Sequence, residues 1–256
     1  MKLVGIVGGI GPEASNKFCE MLIKHKKKER DQDNIPFIHY CYPQIPDRTE
    51  AIMGSGEDPT QDIIKVCKQL ELSAVDFIVM PCNSAHYFLG EVQENIKTPI
   101  VDMTKVLVKK VISNNPQIKK IGILATTGSI KAGIFQNYFR SVGVETILPT
   151  NEDQEKLVME AIYGKRGIKA GKKMESKRLL TEAIMNLIEE GAESIVLGCT
   201  EIPLVINQKH FDIKLHDPME IVAKEIIHYI EREEEEIVTV KYIIKKPELK
   251  KAIMGH

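Results

Sequence analysis

The sequence predicts an α/β protein made of two similar halves, each with a mainly parallel β-sheet. Short runs rich in Val and Ile alternate with amphipathic stretches of helical length, which is the pattern of βα units around a parallel sheet. The segment KLVGIVGGIG at the start resembles KKIGILATTGS from Lys119, and VDFIVMPCNSA resembles AESIVLGCTEI. With 256 residues, 43% of them hydrophobic, the chain is long enough to bury a large core.

Strands are predicted at the apolar runs, and helices where apolar residues recur with helical period. The last helical pattern ends at Gly191, a residue type that commonly follows a helix C-terminus. The helical patterns are GPEASNKFCEMLIKHKKK, DPTQDIIKVCKQLELS, KAGIFQNYFRSVG and SKRLLTEAIMNLIEEG. The strands fall near residues 2–7, 36–42, 75–80, 99–102, 120–125, 144–148 and 193–197.

The internal repeat predicts the domain organisation. If Gly5 and Gly122 are equivalent, a cysteine follows each of them at the same spacing, Cys82 in the first half and Cys199 in the second. Pseudo-two-fold symmetry then predicts an active site in the cleft between two domains, because ligands bind beyond the carboxyl ends of parallel strands. The expected segments are an N-terminal α/β domain of residues 1–103 plus 215–232, a second α/β domain of residues 104–214, and a C-terminal extension of residues 233–256.

Composition narrows the class of partner. The 35 basic and 36 acidic residues nearly balance, so nucleic acid and membrane surfaces are not expected partners, and a small molecule is. The N-terminal apolar run is short and broken by glycines, which fits a strand better than a signal peptide, and a cytoplasmic protein is expected.

Five cysteines without a CxxC pair suggest neither a disulfide framework nor a metal site. Ordinary buried thiols are expected at Cys19, Cys41 and Cys67.

Cys82 and Cys199 differ from the other three because each lies just beyond an apolar strand and precedes a polar residue, Asn83 or Thr200. Inverting a stereocentre beside a carboxylate needs a base on one face of the α-carbon and an acid on the other. A thiol, with an ordinary pKa of about 8.5, can serve in either role near neutral pH when its surroundings shift that value.

Carboxylate-binding groups are expected next to the two cysteines. The amides of Asn83, Ser84 and Ala85, and those of Thr200 and Glu201, follow strand ends and are candidates for binding carboxylate oxygens. His86 either tunes the Cys82 thiol or only packs nearby. Arg48, in the Pro-rich segment YPQIPDRTEAI, is either a bidentate carboxylate ligand or a surface arginine.

The motifs MPCNSAH at 80–86 and LGCTEIP at 197–203 resemble those of the aspartate/glutamate racemase superfamily, and particularly its aspartate racemase branch. Further matches in the same order cover residues 1 to 230, and the segment after about residue 232 has no obvious counterpart. The supporting motifs are GIVGGIGPEAS, PQIPDRT, LATTGS, IKAG and HDPMEIVA.

This resemblance implies an isomerase that interconverts L- and D-aspartate, with glutamate as a further candidate substrate, without pyridoxal phosphate or any other cofactor. It implies a homodimer of two-domain subunits, with Cys82 and Cys199 as the paired acid and base. Arg48 and Lys169 are implied to contact the distal carboxylate of the substrate. The candidate substrate-binding residues are Asp47, Arg48, Thr49, Asn83, Ser84, Ala85, Thr127, Lys169 and Thr200.

Three alternatives stay open. The segment from Gly9 to Ala14 formally matches the GxGxxG/A dinucleotide fingerprint, although Pro12 removes one amide and the acidic residue that this fingerprint needs is absent. The second alternative keeps the fold and changes the reaction, because maleate isomerases and arylmalonate decarboxylases also resemble this superfamily. The third is a non-catalytic carboxylate-binding or redox protein in which Cys82 and Cys199 form a disulfide.

Overall fold

A computed structural model describes residues 2–232 of the chain, so the predicted extension of residues 233–256 lies outside the described residues. The chain divides into two compact units. Among the described residues, the first unit holds 2–103 together with 222–232, and the second is Thr104–Ile221. One division thus follows residue 103, where the sequence analysis placed it, and the other follows residue 221 instead of residue 214.

The first unit contains a three-stranded parallel sheet in the order β2-β1-β3. A further chain segment runs alongside β3 but pairs only through a bridge between Ile78 and Ile100, so the strand predicted at 99–102 is reduced to a single bridge. The strands are β1 (Val4–Gly8), β2 (Phe37–Cys41) and β3 (Phe77–Val79).

The second unit contains a four-stranded parallel sheet in the order β5-β4-β6-β7. The strand β7 was not predicted, and it pairs with β6, so residues that the sequence analysis assigned to the first domain from position 215 belong to the second sheet. The strands are β4 (Lys120–Leu124), β5 (Glu145–Ile147), β6 (Ser194–Leu197) and β7 (Lys214–His216).

The two sheets share their strand order and the register at their centre. In the first sheet Gly5 of β1 pairs with Ile78 of β3, and in the second Gly122 of β4 pairs with Ile195 of β6. A glycine fits at both places because a Cβ on Gly122 would lie 2.5 Å from the Ile195 side chain, and one on Gly5 would lie 3.0 Å from Val75. The internal repeat of the sequence is therefore present in the pairing of the strands.

The helices follow the predicted pattern with one interruption. Gly133 has a φ of 66° and lies between α6 (Thr127–Lys131) and α7 (Gln136–Ser141), so α-helix covers only Lys131 and residues 136–141 of the stretch predicted as one helix over 131–143. Gly191, with a φ of 93°, follows the end of α10 as expected. The helices are α1 (Pro12–His25), α2 (Arg48–Met53), α3 (Thr60–Leu72), α4 (Leu89–Glu94), α5 (Met103–Asn114), α6 (Thr127–Lys131), α7 (Gln136–Ser141), α8 (Asn151–Asp153), α9 (Glu160–Tyr163), α10 (Lys173–Glu189) and α11 (Pro218–Glu231).

Each unit has its own hydrophobic core. Fully buried side chains from the sheet and the flanking helices form it, such as Ile63 and Ile78 in the first unit and Leu180 and Ile195 in the second. Burying one such side chain stabilises the fold by about 1.5–3 kcal/mol. In the first unit Tyr229 of α11 packs edge-on against Phe77, with 5.8 Å between ring centroids. Within residues 2–232, no helix combines the length and the apolar character that a membrane crossing requires.

Candidate active site

The two candidate cysteines occupy equivalent places in their units. Cys82 lies three residues beyond the end of β3, and Cys199 lies two residues beyond the end of β6. Both side chains are buried, with 6% and 7% of their surface exposed. Of the remaining cysteines, Cys19 and Cys67 are buried as expected, whereas Cys41 is exposed and that expectation was wrong.

The loop after Cys82 is fixed by its own backbone and by His86. The Ala85 amide donates to the Cys82 carbonyl oxygen at 3.2 Å, so this amide is engaged within the turn instead of being available to the substrate carboxylate for which it was a candidate. The Nε2 atom of His86 accepts a hydrogen bond of 3.2 Å from the amide of Met103. The Nδ1 atom must therefore carry the proton, which it donates to the Cys82 carbonyl oxygen at 3.0 Å.

His86 thus joins the cysteine loop to the first residue of α5, and its ring nitrogens are both engaged with the backbone. Burial lowers the pKa of His86, which keeps the ring neutral and preserves this tautomer at neutral pH. Of the two roles considered for His86, the geometry favours packing and positioning over tuning of the thiol.

Arg48 is a buried residue and not a surface one. It is the first residue of α2, which packs against the turn Ser84–Phe88 that follows Cys82. Only 7% of Arg48 is exposed, and its guanidinium donates to the carbonyl oxygens of Ile45 at 3.2 Å and Pro46 at 2.8 Å. These bonds hold the guanidinium in one orientation, as recognition of a carboxylate requires.

The neighbours of Arg48 were also proposed to bind substrate. The Asp47 carboxylate caps the N-terminus of α2, accepting from the amides of Thr49 at 2.8 Å and Glu50 at 3.1 Å. Thr49 is buried. The described contacts of Asp47 therefore position Arg48 by fixing the start of its helix.

The loop after Cys199 contains a carboxylate. The Cys199 thiol donates to Glu201 Oε2 at 2.9 Å, and the Thr200 hydroxyl donates to the same oxygen at 3.3 Å. All three residues are buried. Burial raises the pKa of the Cys199 thiol well above its ordinary value, and the Glu201 carboxylate raises it further through its charge and its hydrogen bond.

Lys169 lies in the same unit, in the short turn Ile168–Ala170. Its positive charge acts on Cys199 in the opposite direction to Glu201 and lowers the pKa of the thiol. Its ammonium also lies 4.4 Å from the ring centroid of Tyr163, an arrangement that restricts the long side chain. The charge of the predicted substrate-binding lysine therefore favours the thiolate form of Cys199, in opposition to Glu201.

Thr127 begins α6, directly after β4, and is held by a π-helical turn of residues Gln154–Met159. Its hydroxyl donates to Glu155 Oε1 at 2.9 Å, and its amide donates to the Met159 sulfur at 3.3 Å. The Gln154 amide nitrogen donates to Thr127 Oγ1 at 3.2 Å and to the Ala125 carbonyl oxygen at 3.0 Å. Such π-turns within helices occur often at functional sites.

The glycine-rich turn after β1 has a structural use. Gly9 has a φ of 90°, and a Cβ there would lie 2.3 Å from the backbone of Tyr42. Its amide donates to Ser15 Oγ at 3.4 Å, and this hydroxyl also bonds to His39 Nε2 at 3.2 Å. The turn thus packs against the segment after β2, and the amide that a pyrophosphate would need is engaged.

Two site residues were missed by reasoning from the sequence. Glu201 was considered only for its amide, although its side chain contacts the thiol of Cys199. Gln154 was not considered, and it is buried next to Thr127 with no hydrogen-bond partner for Oε1 among the described residues. Comparing the repeats would have revealed Glu201, because Ser84 stands at the equivalent position after Cys82. Within residues 2–232, no three His, Cys, Asp or Glu side chains are grouped as ligands of a metal ion.

Comparison with known proteins gives one consistent family. The model of the Asp/Glu/hydantoin racemase family matches residues 7–226. The chain is 25% identical over 227 residues to the broad specificity amino-acid racemase RacX of Bacillus subtilis, covering 88% of this chain and 96% of RacX.

Solved structures of racemases also resemble this chain. The Picrophilus torridus aspartate racemase is 28% identical, with a TM-score of 0.72 over 87% of this chain and 91% of that one. The glutamate racemase of Francisella tularensis, solved with D-glutamate, is 18% identical and shares the fold, with a TM-score of 0.63 over 94% of this chain and 84% of that one.

Proposed function

The chain belongs to the Asp/Glu/hydantoin racemase family and is an isomerase, and we propose that it interconverts L- and D-aspartate, with glutamate as a further substrate, without a cofactor. The observation that carries this proposal is the equivalent placement of Cys82 and Cys199. Each cysteine follows a strand that pairs in the same register with the strand bearing Gly5 or Gly122.

In the proposed reaction the two thiols act on opposite faces of one substrate Cα. A thiolate at one cysteine removes the Cα proton, and the thiol of the other cysteine delivers a proton to the opposite face. The reverse reaction exchanges the two roles. Positioned acid and base groups of this kind contribute about 10²–10⁴-fold each to a rate.

The cationic residues support a dicarboxylate substrate. We assign the distal carboxylate to Arg48 and Lys169, one a buried guanidinium fixed by two carbonyl oxygens and the other an ammonium that acts on the Cys199 thiol. The amides of Asn83, Ser84 and Thr200 are assigned to the α-carboxylate. Hydrogen-bond donors aimed at that group also stabilise the negative charge that develops when Cα loses its proton.

Aspartate is the first substrate to test, because both cationic residues favour an acidic side chain. The protein, freed of metal and pyridoxal phosphate, is incubated with L-aspartate in D₂O. Chiral chromatography follows D-aspartate, and mass spectrometry follows deuterium at Cα. We expect D-aspartate that carries deuterium, and loss of racemisation in both Cys82→Ser and Cys199→Ser.

The exposed Cys41 provides the matched control, since Cys41→Ser removes a thiol outside the proposed site. This variant should racemise aspartate at the wild-type rate. If the wild type forms no D-aspartate, glutamate and a panel of neutral and basic amino acids follow, because RacX is described as having broad specificity. No racemisation across the panel would contradict the proposal.

We further propose a homodimer in the cytoplasm, on the basis of the family resemblance. Light scattering coupled to gel filtration would test the assembly. A mass of about one subunit across a range of protein concentrations would contradict it.

A further inference from the structure

Glu201 makes the surroundings of Cys199 unlike those of an ordinary buried cysteine. The distance of 2.9 Å between Cys199 Sγ and Glu201 Oε2 is short for a bond involving sulfur. A thiol can donate here, because an ionised carboxylate only accepts. The Thr200 hydroxyl donates to the same oxygen, which orients the carboxylate toward the thiol.

We propose that Glu201 is the proton partner of Cys199, taking its proton when Cys199 acts as the base and returning it when Cys199 acts as the acid. This inference rests on the proposed two-thiol racemisation. It assigns to the side chain of Glu201 a direct part in the chemistry, because this carboxylate contacts a reacting atom.

The proton balance is simple. With the proton on sulfur the pair is a thiol beside a carboxylate, and with the proton on Oε2 it is a thiolate beside a carboxylic acid. Both forms carry one negative charge. When Cys199 works as the base, its own proton first moves to Glu201, and the substrate proton then goes to the sulfur. When Cys199 works as the acid, the steps run in reverse: the thiol beside the protonated Glu201 delivers its proton to Cα, and the proton on Oε2 then returns to the thiolate, so the pair again carries one negative charge.

The burial of Cys199 and Glu201 explains why the thiol needs a local proton acceptor. Cys199 and Glu201 are both 7% exposed, so exchange of the thiol proton with water is restricted, and a thiolate without a local proton acceptor would be costly to form. The positive charge of Lys169 favours the thiolate form, since it lowers the pKa of Cys199. The first unit has no carboxylate at the equivalent place, because Ser84 stands there.

The test replaces the carboxylate by an amide of the same shape in Glu201→Gln. Iodoacetamide labelling of Cys199, quantified by peptide mass spectrometry across pH, reports thiolate formation without any substrate. We expect the labelling midpoint of Cys199 to move to lower pH in Glu201→Gln, because the charge that opposes the thiolate is gone. Labelling of the exposed Cys41 in the same sample is the internal standard.

The second readout is the pH profile of kcat/KM for aspartate in both directions. L- and D-aspartate have equal free energies, so the two directions must fall together. We expect a loss of about 10²-fold or more in Glu201→Gln, an alkaline limb displaced to lower pH, and partial recovery in Glu201→Asp. Glu182→Gln, an exposed change in α10, should match the wild type.

The outcomes separate the two proposals. Unchanged labelling together with wild-type kcat/KM in Glu201→Gln would overturn the role of Glu201 while leaving the racemase proposal intact. A shifted labelling midpoint in a protein that racemises no amino acid would overturn the proposed function, and with it the catalytic role of Glu201. Loss of activity in Glu201→Asp equal to that in Glu201→Gln, with unshifted labelling, would indicate a packing role and also overturn the inference.

Discussion

The loops after β3 and β6 hold the two candidate cysteines in the same place of two similar sheets, yet they surround the thiols with different groups. After Cys199, the Glu201 carboxylate accepts a hydrogen bond from the thiol. After Cys82, the residue at that position is Ser84, and the titratable group of the loop, His86, is engaged with backbone atoms. A repeated backbone can therefore place two cysteines equivalently while neighbouring side chains give their loops different hydrogen-bond partners.

The largest expected effect tests whether the two thiols are true equivalents. Cys82→Ser and Cys199→Ser should each reduce racemisation by about 10²–10⁴-fold, because inversion needs both an acid and a base. Each variant should still exchange the Cα hydrogen of one enantiomer in D₂O, and the two variants should differ in which one. Mass spectrometry of recovered L- and D-aspartate measures this. Exchange of the same enantiomer by both variants would contradict action on opposite faces.

The two units also differ beside β3 and β6: His216 of β7 pairs opposite Val196, whereas the first unit has only the bridge between Ile78 and Ile100 there, and Val101 follows Ile100 at the place that corresponds to His216. Burial lowers the pKa of His216 from an ordinary 6.5 to about 4, and the charge of Lys214 adds to this. The native state therefore holds His216 neutral, and below about pH 6.5 the unfolded state binds a proton that the native state does not. The contribution of neutral His216 to the free energy of unfolding is therefore fully present at pH 7. It is lost as pH falls toward 4, which lowers that free energy by roughly 3 kcal/mol.

Urea denaturation of the wild type and His216→Val between pH 7 and 4.5 would measure this contribution. The variant copies the residue of the first unit and should show a flatter dependence of unfolding free energy on pH. Equal slopes for the two proteins would show that His216 is not the acid-sensitive group.

The two cationic residues differ in burial. Arg48 is buried and fixed by two carbonyl oxygens, whereas Lys169 is exposed. Arg48→Lys should raise KM for aspartate by about tenfold or more, because an ammonium cannot reproduce the planar, bidentate geometry. Lys169→Arg keeps the charge on an exposed side chain and should change KM by only a few-fold. Steady-state kinetics measures both, and the reverse ranking would argue that Lys169 is the main carboxylate ligand.

The smallest expected effect comes from copying the carboxylate of the second loop into the first. Ser84→Glu places an acidic group two residues after Cys82, as Glu201 follows Cys199. We expect the iodoacetamide labelling midpoint of Cys82 to rise by about one pH unit, less than for a fully buried pair because Ser84 is only partly buried. A midpoint equal to that of the wild type would show that the carboxylate must also be oriented, as Thr200 orients Glu201.

Much of the fold followed from hydrophobic periodicity and the repeat, including β1 to β6 and the equivalence of the two cysteines. The equal spacing from Gly5 to Cys82 and from Gly122 to Cys199, which revealed the repeat, does not arise from connections of equal length. The connection from Gly5 to its partner Ile38 is longer than the one from Gly122 to its partner Ile147. The connection that follows, to Ile78 or Ile195, is shorter in the first unit than in the second. The longer first connection and the shorter second connection of the first unit cancel. The two cysteines therefore follow their glycines at the same spacing although the individual connections differ in length.

The sequence alone determined the α/β class, the two halves and the strand-end cysteines, because these depend on residue period and on chain order. It did not determine β7, a strand of three residues that forms by pairing with β6. It also did not determine that Arg48 is buried, that His86 bonds to the backbone, or that Glu201 accepts from Cys199. Those features depend on which groups the packed loops bring within hydrogen-bond distance, and only the tertiary structure sets those distances.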